Sequence, residues 1–157
     1  MKQMILSILA IGMCFVGSVI AQQKETVKAG NVDSTTAIQE LIDSYFDSLN
    51  ETDSKKRMEL IKKVWNKDGV FVYPGSELKT FSAMSEGIAI VQKKFPNSIV
   101  RRTSEIELIE NNYIRLSFEL IGSQQESLIR GVDFIHIFNN KLKLVVGYFD
   151  YVSEKAK

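Results

Sequence analysis

The sequence is poor in the residues that build metal and redox centres, with one cysteine, Cys14, and one histidine, His136, among 157 residues. Zinc sites usually draw on several Cys or His ligands, so no metal or cofactor is expected. Basic blocks are missing as well. The 20 basic residues are matched by 19 acidic ones and scattered along the chain, which argues against nucleic acid or anionic lipid as the main partner. Internal repeats and low-complexity segments are also lacking.

The cysteine has a further consequence. Lys2 is followed by the apolar run Met4 to Ile20, and Val19-Ile20-Ala21 places small or medium residues where a signal peptidase cuts. Residues 1–21 therefore read as an export signal cleaved after Ala21, giving a periplasmic or secreted protein. A membrane anchor is the competing reading, although a run of about 17 residues is at the short limit for a spanning helix. A lipid anchor would need a small residue before Cys14, and Met13 stands there. Cleavage would remove the only cysteine, leaving no disulfide and no thiol nucleophile. It would also remove Lys2 and leave 19 basic against 19 acidic residues. The remaining 136 residues (157 less 21) suffice for one domain with its own core.

Residues 22–33 (QQKETVKAGNVD) are polar and aperiodic, as in a flexible tether. From residue 34 to 152 a single folded domain is expected, followed by a tail at 153–157. Ile38, Leu41, Ile42, Tyr45, Phe46 and Leu49 fall at helical spacing, with Thr36 and Gln39 as a capping box. A second helix is expected from Ser54 to Asn66, ended by Lys67-Asp68-Gly69. A short strand, Val70 to Tyr73, stops at Pro74-Gly75. A third helix is expected from Ser82 to Phe95, with Met84, Ile88, Val91 and Phe95 on one face. Strands follow near 98–109, 112–122, 126–138 and 142–152, separated by turn residues.

The strand Ile129 to Phe138, IRGVDFIHIF, carries three ionisable groups among apolar ones. Side chains alternate between faces along a strand. Asp133 therefore shares a face with Ile129, Gly131, Ile135 and Ile137, while Arg130 and His136 lie on the other with Val132, Phe134 and Phe138. The neighbouring strand divides in the same way, with Ile114, Leu116, Phe118 and Leu120 opposite Arg115, Ser117 and Glu119.

The order of elements, together with SYFDSLNETD, VWNKDGVFVYPG and GVDFIHIFNNKLKLVVGYFD, resembles the nuclear transport factor 2-like superfamily. That group includes ketosteroid isomerase, polyketide cyclases of the SnoaL-like kind and limonene epoxide hydrolase. The resemblance spans most of residues 36–151. It implies a cystatin-like α+β fold in the order α-α-β-α-β-β-β-β, with three helices covering the concave face of a cone-shaped, curled antiparallel sheet. The cone would hold a small apolar molecule. In the isomerase branch a first-helix tyrosine and a protonated aspartate on the penultimate strand donate hydrogen bonds to the developing oxyanion. Tyr45 and Asp133 occupy those positions, and the resemblance implies for Asp133 the neutral state of an acid in an apolar site. The third position is an aspartate base before a proline, and here Tyr73 precedes Pro74. A phenol with an ordinary pKa of about 10 is a poor proton acceptor at neutral pH, so steroid-type isomerisation lacks its base. Glu77 could substitute only if its loop folded inward.

By register with the isomerase, Leu116, Phe118, Gly131 and Phe149 line the cone, and Phe46, Trp65 and Phe71 close it or serve as plain core. Tyr45 and Asp133 each have a purely structural alternative, including a bond to one another. Asp150 points away from Phe149. Asn50-Glu51-Thr52 fits a glycosylation sequon to which no weight attaches. Three functions stay open: a binding module for a small apolar ligand held by Tyr45 and Asp133; a cyclase-, hydrolase- or isomerase-type enzyme using Asp133 with help from Tyr73; and a partner-binding protein with a vestigial pocket. The second apolar face, with Val132, Phe134, His136 and Phe138, points to a homodimer.

Overall fold

The computed structural model describes residues 34–152; the expected signal, tether and tail lie outside the described residues. The chain order is α1 (Ser34–Asn50), α2 (Ser54–Val64), β1 (Trp65–Tyr73), β2 (Ser76–Leu78), α3 (Phe81–Lys94), β3 (Ile99–Arg102), β4 (Glu107–Ile109), β5 (Tyr113–Ile121), β6 (Ser127–Phe138) and β7 (Lys141–Tyr151). Among the described residues, three helices and seven strands build the expected α+β fold. Among the described residues no helix is long and apolar enough to cross a membrane.

Helix starts follow from side-chain caps. Asp53 accepts the N–H groups of Lys55 and Lys56 at 3.0 and 2.8 Å at the start of α2, and Thr80 accepts that of Ala83 at 3.1 Å at the start of α3. The expected capping box at Thr36 does not mark the start of α1. That helix begins two residues earlier, and Gln39 donates to Asp43 instead at 2.7 Å. Thr35 and Thr36 thus lie inside the first turn of the helix.

The sheet runs β2-β1-β7-β6-β5-β3, with β4 also pairing β5. It is mixed rather than purely antiparallel, because β1 runs parallel to β7. That pairing also corrects the end of the second helix. Trp65 takes extended backbone angles and pairs with Leu142, so α2 stops at Val64 and the strand begins five residues before the expected Val70. The residues between Trp65 and Val70 form an irregularity in the ladder, which lets Lys67-Asp68-Gly69 sit inside a strand. The expected strand over 98–109 is two pieces, β3 and β4, and the short β2 pairs back on β1 after Pro74-Gly75. Between β3 and β4, Thr103 donates to the Ser117 carbonyl at 2.8 Å and the Ser104 hydroxyl accepts the Ser117 N–H at 2.8 Å. The edge contact with β5 thus persists through the break.

Ile42, Ile61, Val64, Trp65, Ile114, Leu116, Ile135, Leu142 and Val145 form the buried core between helices and sheet. Burying such side chains fully contributes roughly 1.5–3 kcal/mol each. Two polar groups tie helices to sheet and to one another. The Asn50 amide donates to the Val100 carbonyl and accepts the Val100 N–H, both at 2.8 Å, so it serves β3 as a strand neighbour would. Arg57 is buried and donates to Ser85, to Gln92 and to the carbonyls of Glu51 and Thr52, joining the α1–α2 loop to α3.

Candidate functional site

The concave side of β6 and β7 places the site residues in a ladder. Asp133 pairs with Gly147, Gly131 with Phe149, and Ile129 with Tyr151. All six lie on the inner face, because they alternate with the outward Arg130, Val132, Tyr148 and Asp150. Gly147 is needed beside Asp133. A Cβ there would stand 2.9 Å from Asp133 Oδ1 and 3.1 Å from the Phe71 ring, so any side chain would displace the carboxyl.

From the helical side, Tyr45 reaches down from α1 and is held by edge contacts to Phe46 and Trp65, with ring centroids 5.3 and 6.2 Å away. Its hydroxyl donates to Asp133 Oδ2 at 3.0 Å. Asp133 is only 2 % exposed, and Oδ1 has no hydrogen-bond partner among the described residues. Desolvation pushes its carboxyl from the ordinary 3.8 up to about 7, although the Tyr45 bond pulls the other way. Burial, followed by the nearby Asp133 charge and the bond to it, holds the Tyr45 hydroxyl well above its ordinary value. The two side chains therefore act in series. Tyr45 satisfies one oxygen of the acid and leaves the other without a partner among the described residues.

An apolar cavity of about 330 Å³ opens against this pair. Of the residues expected to line it, Trp65, Phe71 and Tyr73 of β1, Phe118 of β5 and Phe149 of β7 do so beside Tyr45 and Asp133. Phe46 and Leu116 do not; both are packed into the core. Gly131 is covered from the inside, because a Cβ there would overlap the Phe118 ring and lie 2.8 Å from the Tyr148 carbonyl. Its lack of a side chain seats Phe118 rather than a ligand.

The helix face of the cavity is not evident from the sequence. Met84, Ile88, Val91 and Lys94 of α3 line it, as does Tyr151 at the end of β7. The apolar periodicity of α3 is plain, but periodicity cannot tell a core contact from a cavity wall. The charged members of the wall are Asp133 and Lys94. The Lys94 ammonium lies 4.9 Å over the Tyr151 ring and 5.1 Å over the Phe95 ring.

On the convex side, Glu119 takes both Arg130 at 2.8 Å and Arg101 at 3.5 Å. His136 stacks on Tyr113, with ring centroids 4.4 Å apart. Arg130 and Asp150 are exposed, and Glu77 is exposed and ion-paired with Lys79. Glu77 thus lies on β2 outside the cavity lining, and among the described residues Asp133 is the one carboxylate that lines the cavity. Among the described residues, no cluster of three or more metal-ligating side chains occurs.

No protein-family model matches the sequence, and no curated protein matches it significantly. Solved structures do. The chain is similar to a SnoaL-like family protein from Agrobacterium tumefaciens, with 22 % identity over 73 % of this chain and 98 % of that one, at a TM-score of 0.67. It is similar to a protein with a ketosteroid isomerase-like fold from Catenulispora acidiphila, solved in complex with trimethylamine, with 12 % identity over 73 % and 87 % of the two chains, at 0.59. An NTF2-like protein from Exiguobacterium shares 16 % identity over 70 % and 98 %, at 0.55. At these identities the likeness is one of fold. The chain therefore has the open α+β cone of the nuclear transport factor 2-like superfamily, the fold of its SnoaL-like and ketosteroid isomerase-like members.

Proposed function

We propose that the chain binds a small, largely apolar ligand in the cone and fixes one polar group of that ligand against Asp133. The observation that carries this reading is Asp133 Oδ1, buried and without a partner among the described residues, at the wall of an apolar cavity. A buried polar atom left unmatched costs roughly 1–3 kcal/mol, and a ligand acceptor meeting the protonated carboxyl removes that cost. The cavity volume lies in the range of small-molecule sites, about 300–1,000 Å³. Native mass spectrometry of protein purified from its own host tests the reading. A retained small molecule that Asp133→Leu loses and Asp133→Asn keeps supports it. Protein that retains nothing, and takes up no apolar probe in calorimetry, would sink it.

A second reading, an enzyme of the cyclase, epoxide hydrolase or isomerase type, is favoured by the carboxyl titrating at about 7 in a desolvated site. A group with that pKa can both give and take a proton near neutral pH. Asp133 would act as the acid or position a water, with Tyr73 assisting from the same wall. Turnover lost in Asp133→Asn, with ligand affinity retained, separates this reading from simple binding.

The chain is also proposed to be an exported homodimer. Phe134 and Phe138 are 45 % and 52 % exposed on β6, and Val146 and Tyr148 on the adjacent β7 are 38 % and 64 % exposed. Phe134 pairs with Val146, and Val132 with Tyr148, so these side chains make one continuous apolar patch on the convex face. A second copy of the same face is its natural cover, since a two-fold contact buries the patch on both copies at once. Export predicts a mature chain beginning at Gln22, and N-terminal sequencing of host material that reads Met1 would refute it.

A further inference from the structure

The cavity lies between the two buried clusters of the domain. One, with Tyr45, Trp65 and Met84, closes its deep end beside Asp133; the other, with Phe95, Leu120 and Ile129, flanks its outer half. Two walls give its length. On the sheet it runs from the Asp133–Gly147 rung past Gly131–Phe149 to Ile129–Tyr151, a rise of roughly 13 Å. On the helical side it runs from Met84 to Phe95, a rise of roughly 16 Å. A volume of about 330 Å³ spread over that length leaves a mean section of roughly 20–25 Å², about 5 Å across. Apolar heavy atoms in contact stand about 4 Å apart, so the section admits one chain in single file. The mouth is apolar as well. Ile90 lines the cavity yet is 68 % exposed, and Val91 and Tyr151 beside it are exposed too. A single exposed apolar side chain is ordinary, but three that continue a cavity wall form a patch for the same ligand to cover.

We propose that the ligand is a linear amphiphile, an unbranched chain whose terminal hydroxyl or carbonyl oxygen meets Asp133 and whose tail leaves the cone across Ile90, Val91 and Tyr151. This rests on the reading of the cone as a ligand site and adds the ligand's shape, its length and its direction. Asp133 sets the direction. It stands at the closed end with one oxygen unpartnered among the described residues, whereas Phe118, Phe149 and Ile129, between it and the mouth, offer no polar side chain. A compact molecule with as many carbons would have to widen the section, and close-packed walls resist that. Beyond the rim one side of the tail stays in water, so each added methylene gains about half of what it gains inside.

Calorimetric titration with the primary alcohols from hexanol to dodecanol, and with cyclododecanol, each below its solubility limit, tests this. Affinity should rise about fourfold per methylene while the chain is enclosed and about twofold once the tail lies on the rim. Cyclododecanol has as many carbons as dodecanol in a ring too wide for the section, and should bind at least about tenfold more weakly. Ile90 is exposed, so Ile90→Ser should keep the fold while weakening dodecanol severalfold and hexanol less. Asp133→Leu should weaken hexanol and dodecanol by one common factor, because both set their hydroxyl against the same atom. Three results would overturn the inference and leave the binding reading standing: cyclododecanol binding as tightly as dodecanol, a series that does not rise with length, or an Ile90→Ser effect independent of length. Unequal losses in Asp133→Leu would do the same. Failure of every alcohol to bind overturns the two together.

Discussion

Replacing Asp133 by Asn removes an ionisation while keeping the shape of the side chain, and its effect on stability should depend on pH with a definite sign. The folded carboxyl titrates at about 7 and the unfolded one near 3.8. Below the lower value both states hold the proton. Between the two values only the folded state holds it, so stability declines as pH rises; above about 7 both states have released it and the decline ends. At about 1.4 kcal/mol per pH unit, the rise from 3.8 to about 7 amounts to ~4 kcal/mol. The side chain is 2 % exposed, so solvent screening removes little of this. The introduced amide cannot ionise. It still accepts the Tyr45 hydroxyl, and any cost of burying it is the same at every pH. Urea denaturation of both proteins, stepped from about pH 4 to about pH 8, measures the difference directly. Asp53, held low mainly by the Lys56 N–H, and Asp68, held low mainly by Lys143, have the opposite sign: their contributions are lost as pH falls. They occur in both proteins and cancel. The Asp133→Asn variant should gain on the wild type by up to ~4 kcal/mol over that range, with most of the gain complete by about pH 7. A difference that stays flat, or one that turns against the variant as pH rises, would show an ionised and paired Asp133 and refute the reasoning.

Three other outcomes are expected. Tyr45→Phe removes the bond that pulls the Asp133 carboxyl down, so carbon-13 NMR should show that carboxyl titrating above its wild-type value; an unchanged or lower value would mean that the bond is not formed in solution. Gly131→Ala forces a methyl group against the Phe118 ring and the Tyr148 carbonyl, and should cost about 1–3 kcal/mol in thermal denaturation while reshaping the cavity floor. Phe134→Lys places a charge in the convex patch and should convert a dimer to a monomer in sedimentation, whereas a wild type already monomeric at high concentration would end the dimer proposal.

How much could be read locally differs from residue to residue. Alternation along β6 placed Asp133 among apolar neighbours and Arg130 on the opposite face, because a strand's side-chain period follows from backbone geometry whatever lies around it. The helices of the domain were legible in the same way, from apolar spacing. Their ends were not. Trp65 carries a helix-compatible pattern, yet it leaves α2 because its backbone pairs with Leu142 of β7, far along the chain. The split of the 98–109 region and the parallel β1–β7 contact likewise depend on which strands meet.

The site divides along the same line. Tyr45 and Asp133 were identified singly, but the bond between them joins residues 88 positions apart, and only the packed cone brings them together. That bond makes the tyrosine a support for the acid. Gly147, Gly131 and Lys94 act through what stands next to them: a carboxyl that needs room, a ring that needs a seat, and two aromatic faces at a rim. Sequence by itself determined faces, charges and candidate chemistry, since these belong to single residues and short repeats. The tertiary structure alone decided helix ends, strand partners, the free oxygen of Asp133 and the far wall of the cavity, since each is set by contacts between segments whose approach no local period encodes.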